Sequence, residues 1–121
     1  MAFKQYIMSL MIRFVGFWKG SGKWTAIPVA NSATFSQDKI ISKIKFVQKF
    51  AKETIYRGMS PCRICHCYNG CAEYAIDGFV WPSGYLHYLE DHNVTVDEDF
   101  ASYINDFDEK VSHNINFDYY Y

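Results

Sequence analysis

At 121 residues and 14.1 kDa the chain holds one domain's worth of polypeptide, and its 50% hydrophobic and 19% aromatic content excludes wholesale disorder. The net charge of -1 hides an asymmetry. Residues 1–55 carry nine Lys/Arg against Asp38 and Glu53, whereas residues 56–121 carry Arg57, Arg63 and Lys110 against eleven acids. Either the two halves attract one another within a single fold, or the first half offers a basic surface to phosphates or acidic lipids.

The segment Met1 to Trp18 is apolar, but Arg13 interrupts it and no small-residue cleavage site follows. It is too short for a transmembrane segment, which leaves a soluble protein or an interfacial N-terminal stretch. Ile12 to Trp18 and Trp24 to Val29 read as strands, joined by the turn Lys19-Gly20-Ser21-Gly22-Lys23 into an N-terminal β-hairpin. That turn matches no phosphate-binding loop. Ser36 is a good N-cap for an amphipathic helix over about residues 37–51, with Asp38 in its first turn. Ile40, Ile44, Val47 and Ala51, widened by Ile41 and Phe50, form its apolar face, and Lys39, Lys43, Lys45, Lys49 and Lys52 occupy the rest.

Thr54 to Gly58 reads as a strand leading to Ser60-Pro61-Cys62. Ala72 to Ile76 and Phe79 to Trp81 form a second hairpin across Asp77-Gly78, the pair that a type I′ turn prefers. Ser83 is placed to cap a helix containing Tyr85, Leu86, Tyr88 and Leu89. Asp97 caps a last helix with Phe100, Tyr103, Ile104 and Phe107 on its apolar side. The expected class is α+β, a single domain over 1–121. Its parts are a hairpin region at 1–35, an amphipathic helix at 36–55, a zinc-stapled ββα module at 56–106 and an aromatic tail at 107–121.

The metal expectation rests on Cys62, Cys65, His87 and His92, spaced Cys-x2-Cys, then 21 residues, then His-x4-His. Two cysteines two residues apart can turn both sulfurs inward from one tight loop, and a helix can add two imidazoles to complete a tetrahedron. Residues five apart stand about 140° around a regular helix, so His92 joins His87 only if the last turn loosens. Asn93 follows directly and tolerates left-handed geometry. The four cysteines fall within ten residues, a clustering that fastens little as disulfides and suits structural Zn2+ in a reducing compartment. Cytoplasm or nucleus fits, and so does a component of a virus particle. The alternatives are a metal-free reduced core or disulfide pairing. Cys67 or Cys71 could replace Cys65 or His92 as a ligand, and His66 is expected to point outward.

Tyr56-Arg57-Gly58-Met59-Ser60-Pro61-Cys62-Arg63-Ile64-Cys65, Asn69-Gly70, Trp81-Pro82-Ser83-Gly84, His87-Tyr88 and His92-Asn93-Val94 together form a distinctive pattern. It resembles that of a group of small uncharacterised proteins over about residues 47–105. The resemblance implies a shared zinc-finger-like ββα module and brings no activity with it. His66, Cys67 and Cys71 are departures from that pattern.

Four protein ligands leave no open position at which water is activated, which points away from an enzyme. Asp91-His92-Asn93 is superficially like the acid–histidine pair of ββα-metal nucleases, but the histidines lie in or at the end of the helix rather than before it. Cys67 or Cys71 beside His66 lacks an orienting third group for nucleophilic catalysis. Glu90, Asp91 and the other acids of residues 56–106 repel phosphate, so nucleic-acid binding would fall to the N-terminal lysines. The leading expectation is a protein-interaction or structural module with a protein partner or self-association.

Overall fold

In the computed structural model, residues 12–18 and 37–111 are described. The second strand of the expected N-terminal hairpin, its glycine-rich turn, Ser36 and the terminal tyrosines lie outside these residues. Among the described residues four strands form one mixed sheet: β1 (Arg13–Phe14), β2 (Lys52–Ile55), β3 (Ala72–Ile76) and β4 (Phe79–Pro82), in the order β1-β4-β3-β2. Three helices accompany them among the described residues: α1 (Asp38–Gln48), α2 (Tyr85–Asp91) and α3 (Glu98–Asp106). The class is α+β, as expected. No helix among the described residues is long and apolar enough to cross a membrane.

The hairpin β3–β4 pairs Ile76 with Phe79 and Glu73 with Pro82. Asp77 and Gly78 both take positive φ, 50° and 89°, as a two-residue turn matched to strand twist demands. β2 adds antiparallel to β3, and the Tyr56 amide extends the ladder onto the Cys71 carbonyl. This strand starts two residues earlier than its β-branched pattern suggests, because Lys52 and Glu53 already pair with Ala75 and Tyr74. β1 is only two residues long and lies parallel to β4, a long-range pairing that its local pattern does not encode.

Phe79 and Trp81 project from β4 onto Phe100 of α3, with ring centroids 5.5 and 4.9 Å apart. Ile41, Ile44 and Val47 are the buried residues of α1. The apolar face is therefore rotated from the expected one: Ile40 is only half-buried, and Ala51 lies beyond the helix end. The Trp81 indole N–H donates to Gln48 at 3.1 Å, satisfying the one polar atom of the largest buried side chain. Buried Gln37, the residue preceding α1, donates to the Val94 carbonyl and accepts from the Val96 amide. It thereby ties the start of α1 to the α2–α3 connection. Asp97 caps α3 as expected, accepting the Phe100 amide at 2.9 Å. Phe107 is buried and belongs to the core, not to a tail.

Candidate metal centre

Between β2 and β3 the chain doubles back on itself. Ser60 exchanges backbone hydrogen bonds with Asn69 and Gly70, Pro61 bridges Tyr68, and the Cys62 amide donates to the Cys67 carbonyl. At the tip the His66 amide donates to the Cys62 carbonyl, and His66 itself takes φ 64°, so its side chain points outward and is exposed. The Ile64 and Cys65 amides both point at the Cys62 sulfur, at 3.3 and 3.4 Å. This is the tight loop that a Cys-x2-Cys spacing requires.

Backbone contact seats the loop on the start of α2. Gly70 has φ 91°, and a Cβ there would stand 2.3 Å from Ser83 Oγ; a Cβ on Gly84 would meet Asn69 just as closely. Asn69-Gly70 and Ser83-Gly84 are therefore two halves of one junction. Ser83 is not the N-cap expected from its position: Gly84 is. The Ser83 amide donates to the Ala72 carbonyl and its hydroxyl accepts the Ala72 amide, so this residue closes the hairpin ladder instead. Buried Tyr88 adds the second tie, its hydroxyl accepting the Arg63 amide at 2.6 Å.

The same helix brings up the histidines. His87 lies in the first turn of α2, its amide donating to the Gly84 carbonyl. His92 is the C-cap with φ -118°, and Asn93 follows at φ 51°. The helix does loosen where the spacing requires it, and the Tyr88 carbonyl accepts both the His92 and the Val94 amides. The two imidazoles stand edge to face, 4.9 Å between centroids. His87 Nε2 lies 3.4 Å from Cys65 Sγ, and His92 Nε2 lies 3.5 Å from Cys62 Sγ.

Ligand atoms of Cys62, Cys65, His87 and His92 all lie within 4.8 Å of one another, an arrangement consistent with a metal site. Cys62 is buried, Cys65 exposed and the two histidines between. All four cysteines of the chain are free thiols, and neither Cys67 nor Cys71 belongs to this set. Sequence reasoning set Asp91 beside its neighbour His92, but its carboxylate accepts from His87 Nδ1 at 2.8 Å. The signal was the i,i+4 spacing on one helix face. This contact fixes the tautomer that leaves Nε2 facing the sulfurs. Asp91 therefore pairs with His87 and not with its neighbour His92.

The sulfurs and the His87 imidazole perturb one another's protonation. The Cys67 amide, followed by the His87 imidazole, brings the Cys65 thiol down to about 7. Burial pushes Cys62 up, but the Cys65 and Ile64 amides outweigh it and its thiol is lowered. Burial likewise opposes protonation of His87, yet hydrogen bonds to Cys65 and Cys62 raise it above its ordinary value. Lowered thiols and a raised imidazole are donors that share protons among themselves, and a metal ion held here would displace those protons. No protein-family model, curated protein or solved structure matches the chain.

Proposed function

We propose that this chain is a non-enzymatic interaction or structural module in which Zn2+ holds the 60–70 loop against α2, completing a ββα unit with β3, β4 and α2. The observation that carries it is the convergence of two thiols and two imidazoles from a loop and a helix. A tetrahedron with Zn–S of about 2.3 Å and Zn–N of about 2.05 Å has S···N edges of about 3.6 Å. The sulfur–imidazole distances of 3.4 and 3.5 Å support that fit. With four protein donors, zinc here stabilises structure and has no open position for catalysis.

Zinc would staple the loop rather than the sheet. Ile76, Phe79, Trp81, Tyr85 and Leu89 belong to a core shared with α1 and α3, so losing the ion should release mainly residues 57–71. The spacing alone suggested that losing a ligand such as Cys62 or His87 would unfold much of residues 56–106. The stapled loop and its approach also carry large exposed apolar side chains: Ile55 is 70% exposed, Met59 69% and Tyr68 60%, with Ile64 beside them. Apolar side chains held outward on a fixed loop are the material of a contact surface. The pattern Cys-Arg-x-Cys, Asn-Gly and Trp-Pro-x-Gly provides the loop and both halves of its junction, which supports reading the resemblance as one of shared architecture.

Nucleic-acid binding by the lysines has less support. Lys45 pairs with Glu90 at 3.6 Å and Lys49 lies over the Phe46 ring. The test combines elemental analysis with mass measurement by light scattering. The reading expects one zinc per chain and an assembly, with itself or a co-purifying protein, that weakens in Ile55→Ser/Met59→Ser. A zinc-free protein would remove the staple. A monomer with no partner, or metal-dependent cleavage of DNA, would remove the function.

A further inference from the structure

Among the described residues the sheet ends at β2, which has β3 on one side and no strand on the other. The register fixes which backbone groups face that open side. The Tyr56 amide donates to the Cys71 carbonyl, and Thr54 and Lys52 pair with Glu73 and Ala75. Hydrogen-bonded pairs alternate along an antiparallel ladder, so residues 52, 54 and 56 turn their backbone groups toward β3. Glu53 and Ile55 therefore turn their N–H and C=O groups away from the sheet. Their exposed side chains share one face, and exposed Arg57 follows two residues on, just past the strand end. The Glu53 carboxylate accepts the Tyr74 hydroxyl at 3.1 Å. Arg57 has no ion-pair partner among the described residues. An open edge with an exposed isoleucine in it is a template for another strand.

We propose that the strand added here is β2 of a second copy, antiparallel about a two-fold axis through Ile55. This names the partner of the interaction module inferred above and rests on that reading. Only outward-facing residues can exchange backbone bonds across this edge, which leaves few registers. Centred on Glu53, the pairing sets two carboxylates opposite each other. Centred on Thr54 it sets Glu53 opposite Ile55, and centred on Tyr56 it sets Ile55 opposite Arg57. Centred on Ile55, it sets each Glu53 opposite the second copy's Arg57. The two isoleucines then meet on the axis and exchange their N–H and C=O groups. Thr54 faces Tyr56 on the other side of the sheet, an aromatic–β-branched pair. Opposite charges directly across a ladder stabilise it and like charges destabilise it, so charge selects this register. In it the strand is its own complement, which favours a second copy over a foreign segment. A net charge of -1 puts little repulsion between copies. One short strand makes a small interface, so the association is weak and depends on concentration.

The experiment uses the full chain, reduced and supplied with zinc, alongside Glu53→Arg, Arg57→Glu, the double swap of both, and Ile55→Pro. Sedimentation equilibrium follows mass over a range of concentrations, while circular dichroism and zinc content check the fold of each variant. Wild type should pass from monomer to dimer as concentration rises. Each single reversal creates two like-charge pairs and should raise the dissociation constant about tenfold or more. The double swap should return it to near the wild-type value. An equimolar mixture of the two single variants should dimerise at concentrations where neither does alone. Ile55→Pro removes an N–H that no bond to β3 uses, so it should fold and stay monomeric; it carries the test if a charge variant fails to fold. The proposal is overturned if wild type stays monomeric, if the reversals or Ile55→Pro assemble like wild type, or if the mixture stays monomeric. An assembly indifferent to these changes, or a monomer holding a different protein, overturns this pairing but leaves the interaction module standing. A chain that binds no zinc yet dimerises in this register overturns the staple alone.

Discussion

Asp91→Asn separates metal affinity from folding. The Asp91 carboxylate holds His87 Nδ1 at 2.8 Å, and its side chain is 63% exposed. Losing such a carboxylate contact on a zinc-bound histidine typically costs 10- to 100-fold in affinity. Water competes at an exposed carboxylate, so the loss should fall near tenfold, or about 1.4 kcal/mol. At saturating zinc that difference passes into the stability of the loaded protein. The metal-free protein should respond in the opposite sense. Asp91 is the last residue of α2, and a negative charge at a helix C-terminus is unfavourable by a few tenths of a kcal/mol at an exposed site. Competition with a chromophoric chelator gives the affinity, and denaturant titrations with and without zinc give the two stabilities. An unchanged zinc affinity, or a metal-free protein destabilised as much as the loaded one, would refute the role given to Asp91.

Gly70→Ala should cost about 2–3 kcal/mol, from left-handed backbone strain and the displaced hydroxyl contact between Ser83 and Ala72. A denaturant midpoint within error of wild type would show that the junction yields easily. Alkaline conditions probe the buried phenols of the core. Burial, reinforced by the Asp77 carboxylate, raises Tyr103 above its usual range, and burial raises Tyr85. Because both are harder to ionise folded than unfolded, their contribution is intact below about pH 10 and is lost as pH rises beyond it. Unfolding free energy measured from about pH 8 to 11 should bend downward near 10, less steeply in Tyr103→Phe. A flat profile would contradict the burial of both phenols.

What was legible in the sequence is what short-range chemistry dictates. Asp77-Gly78 could only be a tight turn with positive φ, Asp97 stood where an N-cap belongs, and the His-x4-His spacing itself demanded a loosened helix end before Asn93. The errors arise where tertiary partners outbid local preference. Ser83 has the chemistry of a cap, but the Ala72 amide lies opposite it across the hairpin and takes the hydroxyl. The burial of α1 is shifted to Ile41, Ile44 and Val47 by tertiary packing, with Ile41 lying near Leu89 of α2. β1 pairs with β4 in parallel, across more than sixty intervening residues, and nothing near Arg13 announces that register. The buried Gln37 reads as an ordinary polar residue until Val94 and Val96 are seen beside it. For the candidate site, the four donors were readable from spacing, whereas the Tyr88 hydroxyl beneath Arg63 became visible only once the loop was seated on the helix.

The most direct test is X-ray absorption at the zinc edge on stoichiometrically loaded, reduced protein. The account predicts two sulfur neighbours at about 2.3 Å and two imidazole nitrogens at about 2.0–2.1 Å. Three sulfurs would bring Cys67 or Cys71 into the ligand set, an oxygen neighbour would open the site to water, and failure to load any zinc would contradict the account at its centre.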